Sequence, residues 1–278
     1  MKHILTPLAL TLIAAPALAQ DKMTVMLDWF INPDHGPIIL AEENGYFTDA
    51  GLEVELISPA DPNDPPRMVA AGRVDLAVSY QPELHLAQRE GLDLRRVGTL
   101  VETPLTCLVV RADGPVKEMA DLKGRKVGFA VSGVQEMLLD AMLSHHGVAP
   151  SEVEQINIGW SISPALMSGQ VDGVIGAFRN FELNQMQIEG HEGRCFYPEA
   201  EGVPAYDELI YVAHAEDMDR EMIARFLRAT ERAAADIVND PAASGETFFA
   251  SDAELRNELN TRAWEDTWPR FATRPAAV

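Results

Sequence analysis

The chain is poor in the residues on which several function classes depend. It has only two cysteines, Cys107 and Cys195, far apart in sequence, and its adjacent His145-His146 cannot share a helix face as an i, i+4 zinc pair does. No metal centre or cofactor is expected. Lys and Arg number 22 against 43 Asp and Glu, so the clustered cations that neutralise phosphates are missing, and nucleic acid and anionic membranes are excluded as partners. There is no P-loop, no G-x-G-x-x-G and no G-x-S-x-G elbow. No catalytic residue is assigned. Beyond the amino terminus, no run approaches the roughly 20 apolar residues of a membrane span, so membrane insertion is not expected.

What is present begins with an export signal. Lys2 and His3 precede the apolar run Leu8 to Ala15, and Ala17-Leu18-Ala19 has the form of a cleavage site. Residues 1–19 are therefore expected to be a signal peptide and the mature protein periplasmic, with 21 basic against 43 acidic residues, a net −22. Export permits a disulfide between Cys107 and Cys195. Each falls in a short apolar strand pattern, however, and the expectation is two separate, small, buried side chains.

Hydrophobic content of 47% is ample for a full core, and β and α patterns alternate along the chain in α/β order. Strand patterns at Thr24 to Leu27, Val54 to Ile57, Leu76 to Val78, Arg96 to Leu100 and Leu105 to Val110 enclose short helices and define a first lobe over residues 20–110. The pattern restarts at Lys126 to Ala130 and gives a second lobe over 111–205. Residues 206–278 supply a strand near Tyr206 to Ala213 that returns to the first lobe, then helices, the longest spanning Arg220 to Val238.

The halves also share a signature. Gly72-Arg73-Val74-Asp75 and Gly169-Gln170-Val171-Asp172 each end a short helix and lead into a small apolar strand. Both are followed by polar-aromatic segments, Ser79-Tyr80-Gln81-Pro82 and Phe178 to Gln185. In an open α/β sheet such segments lie at the carboxyl ends of the strands, where ligands bind. The candidate ligand-binding residues are therefore Asp28, Trp29, Asn32, His35, Tyr80, Gln81, Phe178, Asn180 and Glu182. Trp29 and Tyr80 offer flat rings for stacking, and Glu182 offers a carboxylate that needs a donor if it is buried. Arg179 stands three residues before Glu182 and either pairs with it or positions it for a ligand. His35 has no second metal-ligand candidate nearby and reads as a hydrogen-bonding group of the pocket, not a catalyst.

The segments Leu27-Asp28-Trp29-Phe30-Ile31-Asn32-Pro33-Asp34-His35, Asp64-Pro65-Pro66, Ala77-Val78-Ser79-Tyr80-Gln81-Pro82 and Gly176-Ala177-Phe178-Arg179-Asn180-Phe181-Glu182-Leu183-Asn184-Gln185 resemble the NMT1/THI5-like family of periplasmic substrate-binding proteins. The resemblance runs from about Val25 to Ala213. It is nearest to the branch that binds formylaminopyrimidine, a thiamin precursor, with Gly190 to Arg194 and Gly202 to Glu208 adding to that match. It implies a type II periplasmic-binding fold, two α/β lobes closing on a small pyrimidine, with a monomer handing the ligand to the permease of an ABC transporter. It also implies a longer C-terminal helical tail than this chain carries.

The same family includes enzymes that build the pyrimidine from pyridoxal phosphate and a sacrificed histidine, using a lysine. Here no lysine occurs between Lys22 and Lys117, Ser79 stands where that lysine is wanted, and Cys195 is isolated. Without the amine no aldimine forms. A sulfonate-type uptake protein would share the fold but take an anion, which Asp28 and Glu182 oppose.

Overall fold

A computed structural model describes residues 19–273. The signal peptide expected over 1–19 thus lies, but for its last residue, outside the described residues. Among the described residues there are ten strands, β1 (Asp21–Met26), β2 (Leu52–Ile57), β3 (Leu76–Tyr80), β4 (Leu94–Val101), β5 (Thr106–Arg111), β6 (Lys126–Phe129), β7 (Glu154–Asn157), β8 (Gly173–Phe178), β9 (Gly193–Phe196) and β10 (Leu209–His214). Between and after them run helices α1 (Gly36–Glu43), α2 (Tyr46–Asp49), α3 (Pro65–Ala70), α4 (Gln81–Arg89), α5 (Val134–His145), α6 (Ile162–Met167), α7 (Glu182–Ile188), α8 (Arg220–Asn239), α9 (Pro241–Ser251) and α10 (Glu258–Thr267).

The strands form two five-stranded sheets of matching order, β2-β1-β3-β10-β4 and β7-β6-β8-β5-β9. In each sheet the first three strands are parallel and the fourth is antiparallel, and that fourth strand comes from the far side of a chain crossing. Side chains alternate between faces in register with the pleat. Leu209 and Tyr211 enter one core and Ile210 and Val212 another, while Leu108 and Val110 and then Cys107 and Val109 do the same in the second sheet. Helices therefore cover both faces of both sheets, and the strands read as apolar runs without polar alternation. Helix α8 seals the outer face of the first sheet, where Phe226 stacks on Phe47 at 5.1 Å and Asp219 caps the first-turn amides of Glu221 and Met222.

The repeated Gly-x-Val-Asp units occupy equivalent places. Gly72 and Gly169 close their helices at φ 62° and 76°, a left-handed conformation that suits glycine. The aspartate that follows each one ties the start of a parallel pair. Asp75 accepts from the Thr24 backbone N–H at 2.7 Å, and Asp172 accepts from the Lys126 N–H at 3.1 Å. The repeat is thus a device for starting β3 beside β1 and β8 beside β6.

Two expectations are corrected. Thr106–Arg111 belongs to the second sheet, not the first, so the boundary placed at residue 110 falls instead in the crossing before Thr106. Local apolar pattern identifies a strand but not its sheet; here β5 pairs with β8 and β9. That pairing also overturns the reading of two separate cysteines. Val109 stands opposite Cys195, which brings Cys107 within 5.6 Å Cα to Cα of Cys195, and the two form a disulfide. The two chain crossings are themselves joined by Glu208, which precedes β10 and accepts from the amides of Leu105 and Thr106 and from the Thr106 hydroxyl.

Candidate ligand-binding site

The carboxyl ends of β1, β3 and β8 meet between the lobes around a small cavity. Asp28, Trp29, Asn32 and Asp34 reach it from the segment after β1, and Tyr80 from the end of β3. Gly176, Phe178, Phe181 and Glu182 reach it from β8 and the start of α7, joined by Gln135 and Ile162. The Tyr80 and Phe178 rings face each other across the cleft, edge to face, 6.3 Å between centroids at 88°. A wider outer space adjoins the cavity and shares Trp29, Ile162, Phe181 and Glu182 with it. At the junction Trp29 packs against Trp160 of the opposite lobe, their centroids 4.1 Å apart.

A short helical turn orders the first loop. Asn32 caps it, its Oδ1 accepting from the Asp34 N–H at 2.8 Å, and Pro33 supplies a preset φ at the first position. His35 Nδ1 accepts from the Asn32 N–H at 3.2 Å, which leaves the ring proton on Nε2 to donate to Asp28 Oδ1 at 3.0 Å. Tyr80 donates its hydroxyl to Asp28 Oδ2 at 2.8 Å. Two donors from different elements thus hold the Asp28 carboxylate in place beside the cavity.

Electrostatically the cavity is one-sided, since Asp28, Asp34 and Glu182 line it and no Lys or Arg does. Burial pushes the Glu182 carboxyl up to about 8, and the nearby Asp34 adds to the rise although the Phe178 N–H donates to Glu182 at 2.6 Å. Asp34 is raised to about 6, again chiefly by burial, with His35 and the Asn180 amide pulling the other way. The Tyr80 hydroxyl is held well above its ordinary range by burial and by Asp28, so it remains a donor. Such a wall offers acceptors to a small, flat molecule bearing N–H groups and repels anions.

Three sequence-derived candidates stand outside the cavity. His35 lies behind Asp28, as described. Gln81 opens α4 and accepts from the Asp207 N–H at 2.8 Å, which ties the second crossing to the first lobe. Asn180 is buried under α10, its Nδ2 donating to Asp34 Oδ1 at 2.6 Å and to Thr267 Oγ1 at 2.7 Å while its Oδ1 has no partner among the described residues. Arg179 does not pair with Glu182. It ion-pairs with Glu199 at 2.7 Å and lies over the Tyr197 ring. Sequence reasoning missed Asp34, Gln135, Ile162, Gly176, Phe181 and the exposed Trp160. Asp34, Gly176 and Phe181 sat inside quoted motifs, but Gln135 and Trp160 carry no local signal.

Two mirrored α/β lobes around a cleft at their strand ends are the architecture of periplasmic binding proteins. The alkanesulfonate-binding protein of Xanthomonas axonopodis pv. citri, solved with bound MOPS, superposes with a TM-score of 0.70 at 17% identity over 93% of this chain and 86% of its own. Within that class the chain belongs to the NMT1/THI5-like family, whose model matches residues 32–244. A Haemophilus influenzae protein named for thiamine biosynthesis is 48% identical over 95% of this chain and 84% of its own. The formylaminopyrimidine-binding protein of Halalkalibacterium halodurans is 34% identical over 80% and 68%. A 4-amino-5-hydroxymethyl-2-methylpyrimidine phosphate synthase of Schizosaccharomyces pombe is 27% identical over 92% and 77%. Among the described residues no helix is long and apolar enough to cross a membrane.

Proposed function

We propose that this protein is an exported solute-binding protein that captures a small aminopyrimidine, formylaminopyrimidine or a close analogue, and delivers it to an ABC importer. The observation that carries this reading is the cavity wall of three carboxyl groups with no cation, set beside the edge-to-face pair of Tyr80 and Phe178 and the Trp29 ring. Trp29, Tyr80 and Phe178 offer ring surfaces against which a flat aromatic ligand packs. Its exocyclic amine and formamide N–H meet Asp28, Asp34 or Glu182. The likeness to a formylaminopyrimidine-binding protein at 34% identity supports the same ligand class. A sulfonate or nitrate would have to enter an acidic cavity and is disfavoured on charge.

Synthase chemistry is not proposed. Ser79, standing where a Schiff-base lysine is wanted, is buried and donates to Glu83 at 2.7 Å, and the cavity lining contains no lysine. Thermal-shift screening and native mass spectrometry test the reading against formylaminopyrimidine, aminomethyl- and hydroxymethyl-aminopyrimidine, thiamin, alkanesulfonates and pyridoxal phosphate. A ligand at a hundredfold excess over its Kd raises stability by about 2.7 kcal/mol, a clear shift. Stabilisation by an aminopyrimidine and none by sulfonates is expected. A shift with sulfonates alone, or a Schiff base with pyridoxal phosphate, would overturn the proposal.

A further inference from the structure

Among the neutral side chains of the acidic cavity is an amide whose orientation the backbone fixes and whose nitrogen is left without a partner. Gln135, in the first turn of α5, is buried, and its Oε1 accepts from both the Ala130 N–H at 2.8 Å and the Val131 N–H at 3.1 Å. An amide nitrogen cannot take the place of that oxygen, because two donors would then face a donor. The amide is therefore locked with Nε2 on the other side, where the side chain borders the cavity, and Nε2 has no acceptor among the described residues. Opposite it lies Gly176 at φ 90°, where an added Cβ would sit 2.1 Å from Nε2. The strand leaves out a side chain at the one point where it would displace this amide.

We propose that Gln135 is a specificity residue, donating from Nε2 to a hydrogen-bond acceptor on the ligand, either a ring nitrogen or a carbonyl oxygen. The inference rests on the aminopyrimidine reading and deepens it. Asp28, Asp34 and Glu182 can only recognise donors when ionised, whereas an aminopyrimidine edge sets an exocyclic N–H beside a ring nitrogen that needs a donor. Gln135 supplies that donor, and a molecule with N–H groups but no acceptor leaves it unpaired in a buried site, which is how a pocket rejects the wrong ligand.

Two variants test this by calorimetry at pH 8. Gln135→Glu keeps an oxygen for the Ala130 and Val131 amides and replaces the donor by an acceptor, and Gln135→Met removes donor and acceptor at similar volume. Both are expected to lose at least tenfold in affinity. Loss towards both formylaminopyrimidine and hydroxymethyl-aminopyrimidine assigns the bond to the ring nitrogen. Loss towards the formyl compound alone assigns it to the carbonyl. Wild-type affinity in Gln135→Met, or in Gln135→Glu should Gln135→Met not fold, overturns the inference while the aminopyrimidine reading stands. Failure of the wild-type protein to bind either compound removes that reading and the inference with it.

Discussion

Glu182 shows how the setting of a single residue changes its chemistry. From sequence it reads as a carboxylate that must face solvent or a donor, and in the structure it is buried with the Phe178 N–H as its hydrogen-bond donor and a carboxyl pushed up to about 8. The unliganded cavity therefore holds it mostly protonated at neutral pH. A ligand N–H placed against it favours the charged form, and a charge-assisted bond to a buried donor contributes about 1.5–3 kcal/mol. Glu182→Gln should lower aminopyrimidine affinity at least tenfold in calorimetry and leave the stability of the free protein equal or slightly higher at pH 8. Equal affinity would assign the ligand's amine to Asp28 or Asp34. Neighbouring candidates divide by what they touch. Asp28 and Asn32 reach the cavity, whereas His35 lies behind Asp28 and Asn180 donates its amide hydrogens to Asp34 and Thr267. Sequence spacing alone does not separate these cases, because all four belong to the same polar segments.

Among the elements, most strands and helices were legible, and their ends moved by a residue or a few. Helix α8 was expected at Arg220 to Val238 and spans Arg220–Asn239, since its apolar period is long and its aspartate cap is explicit. Pairing was not legible. β5 carries an apolar pattern suited to either sheet, and only the chain crossing puts it between β8 and β9. The disulfide follows from that placement. Closing a loop of this length restricts the unfolded chain, so the double variant Cys107→Ser, Cys195→Ser should lose about 2–5 kcal/mol, seen as a lower denaturant midpoint. An unchanged midpoint would mean that the strand pairing alone holds β9.

For the whole molecule, the buried carboxyls set a pH dependence. Asp34 at about 6, Glu83 and Glu208 at about 7 and Glu182 at about 8 are all raised by burial above their ordinary values of 3.8 or 4.5. In that window the folded protein binds more protons than the unfolded chain, so its stability falls as pH rises. The contribution of each group is fully present below its unfolded value and lost as pH climbs through its folded value. The Tm of the unliganded protein should therefore drop between about pH 5 and pH 8.5, with a shallower slope near pH 8 in Glu182→Gln. A flat or rising Tm across that range would show that other groups dominate. Between the lobes, α10 of the C-terminal segment reaches the second lobe through Asp266 to Asn184 and Arg262 to Gln187.

The sequence by itself determined the α/β alternation, the two halves with their repeated Gly-x-Val-Asp starts, the family, and the strand ends that line the cavity. Each of these is written in residues close together in the chain: hydrophobic period, caps, glycines and contiguous motifs. Only the tertiary structure decided which sheet β5 enters, that Cys107 meets Cys195, that His35, Gln81 and Asn180 serve neighbours, and that Gln135 and Asp34 line the cavity. Those outcomes depend on contacts between residues distant in sequence, and a local pattern carries no record of the partner across the cleft.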